Sequence, residues 1–219
     1  MARSLIYYKY MTKEKMPYKI IQEMVNERQT LPDDMIIAEL ASLTVLPDED
    51  DPIWNDDEIW SERLYPYLAS AEIASTRKLK STVLLLLERA CYGDPGETMR
   101  GLSTYIEAIA DGDWEWLTEQ CIEAAKSPHP GSRLWAVSEL RKLDNPRSLP
   151  TLIEAFYDNA QLVREEAFFA IRRLCRNYEG ADAERVRNLA KTALNTYLSE
   201  EHAVKDLEMA RETLDEIGN

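Results

Sequence analysis

Few residues in this chain have the types and spacings of a catalytic or metal-binding site. His129 and His202 are its only histidines, and neither lies at an HExxH or other paired-ligand spacing. Cys91, Cys121 and Cys175 form no CxxC pair, which predicts reduced, partly buried thiols rather than a disulfide framework or a zinc cluster. We therefore predict no metal, no cofactor and no catalytic residue, and the sequence favours a protein without enzymatic activity.

A run of carboxylates is the strongest candidate for binding chemistry. Between Val45 and Glu62 the chain has eight acidic residues and no lysine or arginine, so this run carries −8 of the net charge of −14. Clustered carboxylates accelerate association with a basic protein, and an exposed tryptophan can anchor the complex. We predict a docking site for a basic partner, formed by Asp50, Asp51, Trp54, Asp56, Asp57 and Glu58. The alternative is a solvated loop whose Trp54 and Trp60 pack into the core.

The overall charge restricts the class of partner. A sequence pI near 4.7 makes the chain repel DNA and anionic membranes, so a basic protein is a more favourable partner than nucleic acid. No stretch reaches the roughly 18 apolar residues of a membrane span, and the first residues lack the apolar core of a signal peptide. We therefore predict a cytoplasmic protein without membrane contact, and the oligomeric state stays open.

One segment of the chain is repeated. Residues 113–143 align without a gap on residues 144–174, a shift of 31 residues. The identical or similar pairs include Asp113 with Asp144, Ile122 with Ile153, Arg133 with Arg164, Ala136 with Ala167 and Leu143 with Leu174. A repeat of 20 to 50 residues predicts stacked structural units.

Apolar residues at helical spacing divide each copy into a helix A, a turn and a helix B. The predicted helices of the two copies are Trp114–Lys126, Ser132–Leu143, Pro146–Tyr157 and Leu162–Asn177. The same spacing predicts one helix over Ser75–Tyr92, a long helix after Asp182 and a final helix from about Glu201. Residues 1–45 are predicted to be helical without the repeat.

The second copy combines Asn145–Phe156, a polar turn and Val163–Leu174. This pattern resembles the HEAT repeat of armadillo-type α-solenoids; the resemblance covers about 113–174 and is weaker over 61–92 and 182–217. It implies an all-α fold, a short right-handed superhelix of helix pairs with the B helices on the concave side. We accordingly predict a single domain over residues 1–219, with a helical N-terminal region at 1–45, an acidic loop at 46–60 and HEAT-like hairpins at 61–219.

Two groups of cations lie on the predicted B helices. Arg133 and Arg164 are in the first turn, where a cation opposes the helix dipole. We predict that each binds the adjacent turn, with Asp158 as a partner of Arg164; ligand binding is the alternative. The second group lies at the C-terminal ends, where the dipole favours cations, and includes Arg141, Arg172 and Arg173. It is either a set of solvated helix ends or a partner-binding strip for an acidic segment.

These features predict a protein–protein interaction scaffold or adaptor of the HEAT type, whose partner has a basic surface. A specific form is an acidic inhibitor or immunity-type protein that blocks a basic enzyme such as a nuclease. The alternative is a HEAT-like enzyme such as a DNA glycosylase, a class that uses tryptophan, aspartate and arginine on a basic concave surface. HEAT repeats specify a fold and seldom an activity, so the resemblance does not decide between these functions.

If the acidic run binds the partner, affinity should fall steeply as salt rises, because screening weakens the attraction between exposed charges. Changing Asp50, Asp51, Asp56 and Asp57 together to Asn should lower the affinity further. The measurement is a titration of the partner with both forms of the protein at low and at high salt. A complex that responds neither to salt nor to these changes would contradict the prediction.

Overall fold

The computed structural model describes residues 17–44, 57–89 and 98–218. Within these ranges the protein is all-α: it contains eleven α-helices, three short 3-10 turns and no strand. The chain divides into two compact units, Met1–Gly112 and Asp113–Asn219. The expected all-α fold is therefore confirmed for the described part, whereas the expected single domain stays a prediction.

Unit 1 is built around its longest helix. Its helices are α1 (Pro17–Arg28), α2 (Asp33–Thr44), α3 (Asp57–Thr76), α4 (Val83–Arg89) and α5 (Thr98–Ala110). Helix α3 packs against α1, α2 and α5, and α2 also packs against α4. The buried side chains between them include Ile36, Leu40, Tyr67, Leu86 and Leu87.

The prediction of one helix over Ser75–Tyr92 is wrong. Lys78 adopts a left-handed backbone conformation with φ of 55°, which no continuous α-helix can contain. The Leu79 N–H then donates to the Ala74 oxygen at 2.9 Å and the Lys78 N–H to the Ser75 oxygen at 3.1 Å. These two bonds form a Schellman motif, which satisfies the last carbonyls of α3 and ends that helix. The chain resumes as a 3-10 turn and then α4.

Unit 2 consists of three helical hairpins in chain order. Its helices are α6 (Trp114–Ala124), α7 (Pro130–Leu143), α8 (Leu149–Glu154), α9 (Gln161–Asn177), α10 (Ala183–Leu198) and α11 (Val204–Gly218). The A helices α6, α8 and α10 pack against the B helices α7, α9 and α11, and α9 packs between α7 and α11. This arrangement confirms the predicted helix pairs. The four helices predicted for the doubled segment begin and end within a few residues of the observed ones.

Local backbone signals separate the first hairpin from the second. Helix α7 ends where Asp144 takes a left-handed conformation with φ of 47°, a conformation that Asp tolerates better than most residues. The Asn145 side chain then accepts a hydrogen bond from the Arg147 N–H at 3.0 Å. Pro146 follows at the first position of the next 3-10 turn, where its missing N–H costs nothing. The chain therefore reverses direction at this point without a glycine.

Aromatic packing joins the second hairpin to the third. The rings of Phe156 and Phe168 stack at 4.5 Å, and Tyr197 of α10 meets Phe168 edge-on at 5.5 Å. All three side chains are fully buried. Such pairs contribute about 0.5–1.5 kcal/mol beyond the burial of their area, so this cluster is a strong element of the unit 2 core.

Arginines in the first turn of α7 and α9 hold the hairpins in register. Arg133 donates from Nη1 to the main-chain oxygens of Ser127 and Pro128 in its own turn, both at 3.0 Å. From Nε and Nη2 it binds the Asp158 carboxylate in the turn of the next hairpin, at 2.6 and 2.8 Å. Arg133 thus joins two consecutive turns.

Arg164 repeats this arrangement one hairpin later. Its Nη1 donates to the main-chain oxygens of Asp158 and Asn159 at 2.9 and 3.3 Å, and its Nε donates to Asp206 Oδ2 at 3.0 Å. Asp158 is therefore confirmed as a partner of Arg164, through its main-chain oxygen, while its carboxylate binds Arg133. The predicted structural role of both arginines is confirmed by these contacts.

The pairing of Arg133 with Asp158 changes the ionisation of both groups. Burial acts to raise the pKa of Asp158, but the Arg133 guanidinium and the Ala160 N–H outweigh it, and the pKa falls below its ordinary value. The hydrogen bond to Asp158 raises the pKa of Arg133. A lowered carboxyl pKa contributes stability that is complete above about pH 4 and is lost as the pH falls through the lowered value.

Changing Asp158 to Asn should lower the free energy of unfolding by about 2 kcal/mol at pH 7, because hydrogen bonds to charged groups are lost. The difference from the wild type should be smaller at pH 2 than at pH 7, because the Asp158 carboxyl of the wild type becomes protonated as the pH falls through its lowered pKa. The difference in the free energy of unfolding is measured by urea denaturation at both pH values, monitored by circular dichroism. Arg147→Gln is the control: Arg147 pairs with Glu115 and Glu119 on an exposed surface, so little should change. A variant as stable as the wild type at pH 7 would contradict the account.

Candidate functional site

Helix α9 contains two consecutive phenylalanines that face different surroundings. Its buried residues are Val163, Ala167, Phe168, Ala170, Ile171, Leu174 and Cys175. Successive helical residues point about 100° apart, so a helix that buries Phe168 directs Phe169 outward. Phe168 is fully buried, whereas Phe169 is 42% exposed. An aromatic side chain therefore lies on the surface of the central B helix.

The helical neighbours of Phe169 are all charged. Residues three and four positions away lie beside it on the helix surface, and these are Glu165, Glu166, Arg172 and Arg173. Each of the four forms an ion pair with a residue outside α9. Two of these ion pairs go to α7 or its C-terminal cap, and two go to α11.

On the α7 side, the carboxylate of Glu166 lies 2.8 Å from Arg141 Nε. Arg173 binds Asp144, the residue that caps α7, with its Nε 3.0 Å from Oδ1. Burial raises the pKa of Glu166, and the nearby Arg141 offsets only part of this effect. Glu166 is thus held in a partly desolvated position between α7 and α9.

On the α11 side, Lys205 Nζ lies 2.5 Å from the Glu165 carboxylate, and this hydrogen bond lowers the pKa of Glu165. Arg172 Nη1 lies 2.7 Å from Glu216, and its Nη2 donates to Thr213 at 3.2 Å. The Arg172 guanidinium also lies over the Phe169 ring, 5.6 Å from its centroid. This cation–π contact favours one orientation of the ring.

The ion pairs between α9 and α11 join residues 40 to 44 positions apart: Lys205 with Glu165, Asp206 with Arg164 and Glu216 with Arg172. They link the starts of the two helices and also their later turns, so the helices run parallel. Phe169 lies one helical turn after Glu165, and the half-buried Met209 lies one turn after Lys205, which puts Met209 at about the same level as Phe169. We call the surface formed by Phe169, Met209 and the four ion pairs around them the Phe169 site. It has an apolar centre and a charged rim, and all of its residues belong to unit 2.

The predicted site residues fall into two groups. Arg141, Arg172 and Arg173 are brought together around Phe169, each already paired with a carboxylate. The acidic run lies outside the described residues at Asp50, Asp51, Trp54 and Asp56. Asp57 and Glu58 lie in the first turn of α3, but their side chains are outside the described part.

Phe169 was not among the residues predicted from the sequence. A signal for it was present, because two adjacent phenylalanines on an amphipathic helix cannot both lie in a narrow apolar stripe. Deciding which one is exposed requires the direction of the stripe defined by Val163, Ala167 and Leu174.

The described thiols are poor nucleophiles. Burial raises the pKa of Cys121, which is completely buried, and raises that of Cys175 to about 11. Among the described side chains, no group of three or more histidines, cysteines or carboxylates could hold a metal ion. No helix in the described ranges is long and apolar enough to cross a membrane. Cys91 lies outside the described residues.

A comparison with protein-family models found no match, and a comparison with curated proteins found no similar sequence.

Proposed function

We propose that this protein is a protein–protein interaction module that binds its partner through the Phe169 site. The observation that carries the proposal is an exposed aromatic side chain enclosed by four inter-helix ion pairs. Protein interfaces concentrate their binding energy in a few such residues, often aromatic, with a polar rim that excludes water around them.

The ion pairs also favour binding by holding the surface rigid. Complex formation costs about 0.5–1.5 kcal/mol for each flexible side chain that becomes immobilised. Arg141, Arg172 and Arg173 are long side chains that would carry such a cost, and each is already held by a carboxylate before binding. A partner would therefore meet a surface that is largely preorganised.

The proposal includes a HEAT-like fold, a single short right-handed α-solenoid over residues 1–219. Three hairpins stacked through their B helices support it. So do the equivalent contacts of Arg133 and Arg164, which are 31 residues apart. In such a fold the B helices of successive hairpins form one continuous face, and α9 is the middle B helix of unit 2.

The net charge of −14 supports a partner with a basic surface, since opposite net charges accelerate association. In its most specific form the proposal is a cytoplasmic inhibitor or immunity-type protein that covers a basic enzyme such as a nuclease. The acidic run at 46–60 would then steer the partner, while the Phe169 site would anchor it.

Phe169→Asp should weaken the partner complex by about 30-fold or more, because a carboxylate replaces the apolar centre of the interface. Leu189→Asp is the matched control: Leu189 is 47% exposed on α10, an A helix. Both variants and the wild type are immobilised and used to capture proteins from a native lysate. Proteins retained by the wild type and by Leu189→Asp, but lost with Phe169→Asp, are purified and titrated by calorimetry.

Circular dichroism and thermal unfolding of Phe169→Asp check that the variant keeps the fold, which an exposed position should allow. A partner that binds wild type and Phe169→Asp with equal affinity would overturn the proposal. An equal loss of partner affinity with Phe169→Asp and with Leu189→Asp would also overturn the proposal, because the effect would then not be specific to the Phe169 site.

A further inference from the structure

The cations of the Phe169 site are already neutralised. Arg141, Arg173 and Lys205 each have a carboxylate within 3.0 Å, and Arg172 has Glu216 at 2.7 Å. An acidic partner would have to displace one of these carboxylates to reach a cation. The rim therefore offers little net attraction to a negative charge.

Two carboxylates of α11, Glu208 and Glu212, have weaker ion pairs than the cations of the site, or none among the described residues. The ion pair of Glu212 is with Arg172 at 3.8 Å, and Arg172 is closer to Glu216. Glu212 is 69% exposed. Glu208, one helical turn earlier, is also exposed and has no ion pair within the described part of the chain. Glu208 and Glu212 lie on the same side of Met209 around the helix axis, so the weakly paired charge beside Met209 is negative.

The position of these carboxylates is electrostatically unfavourable within the protein itself. Glu212 and Glu216 lie in the last two turns of α11, where the helix dipole favours cations, and the last turn contains no basic residue. Glu208, Glu212 and Glu216 are also spaced four residues apart, which places like charges side by side. A cation supplied by another molecule would relieve both effects.

Other cations on these helices lie away from Met209. Arg176 is exposed two turns beyond Phe169 on α9, past the ion-paired rim. Arg211 is exposed on α11, three residues after Glu208. It lies on the side of that carboxylate away from Met209, about 160° from Met209 around the helix axis. Neither lies between Met209 and the two carboxylates Glu208 and Glu212.

We infer that the Phe169 site binds a basic peptide segment of its partner. The segment places one apolar side chain on Phe169 and Met209, and a lysine or arginine three or four residues away against Glu208 and Glu212. This inference rests on the proposed function and specifies the chemistry of the bound segment. A second copy of this chain fits poorly, because it would bring another −14 charge.

The test uses a phage library of random 16-residue peptides, selected on the full-length wild type after depletion on Phe169→Asp. The expected peptides have a net positive charge and pair an aromatic or aliphatic residue with a nearby lysine or arginine. The strongest is synthesised with a fluorescent label, and its affinity is measured by anisotropy at several salt concentrations. Phe169→Asp should abolish binding.

Glu208→Gln combined with Glu212→Gln should weaken the labelled peptide about five- to tenfold and reduce the salt dependence, as expected for two partly exposed ion pairs. The control is Glu123→Gln combined with Glu184→Gln, an equal change of charge on A helices α6 and α10, which should alter affinity less than about twofold. The Gln variants keep the size of the side chain, so folding is preserved.

Three results would overturn the inference. They are selection of acidic peptides, unchanged affinity in the Glu208 and Glu212 double variant, and self-association of the wild type that Phe169→Asp abolishes in sedimentation velocity. The first two leave the proposed function standing whenever Phe169→Asp still abolishes binding. The proposed function fails separately, if the captured partner binds Phe169→Asp as well as it binds the wild type.

Discussion

The stacking of unit 2 depends on one interaction, made by the arginine in the first turn of α7 and by its equivalent in α9, which binds its own turn and an aspartate of the following hairpin. A cation in the first turn opposes the helix dipole, and the protein accepts this because carbonyl oxygens and a carboxylate surround the guanidinium. Arg133 and Arg164 both bind their own turn and an aspartate of the following hairpin. Unit 1 uses similar chemistry, since Arg77 binds Asp33 and the main-chain oxygens of Gln29 and Leu31.

The register set by these arginines determines what surrounds Phe169. The pair of Arg164 with Asp206 ties the start of α9 to the start of α11. The contacts of Glu165 with Lys205 and of Arg172 with Glu212 then follow along the two helices. A shift of one helical turn would break this rim. Arg164 therefore helps to position the surface site, although it does not belong to it.

Sequence periodicity predicted the helix pairs of unit 2 and the roles of Arg133 and Arg164, because both are encoded locally or by the repeat. It did not predict the break at Lys78, since the apolar spacing continues across that residue without a glycine or proline. The ion pairs of Arg141, Arg172 and Arg173 join residues 25 to 44 positions apart. Such partners depend on the three-dimensional register, so the sequence identified these cations but not their neutralisation or the exposed Phe169.

The most direct test of the central claim is site-specific photo-crosslinking in cells that produce the protein. A benzophenone amino acid replaces Phe169 in one form and Leu189, on the A helix α10, in the other. Illumination should join position 169 to a single basic protein and give no adduct with that protein from position 189. Adducts with the same partner from position 189 alone, or none from position 169 while the complex is intact, would contradict the account.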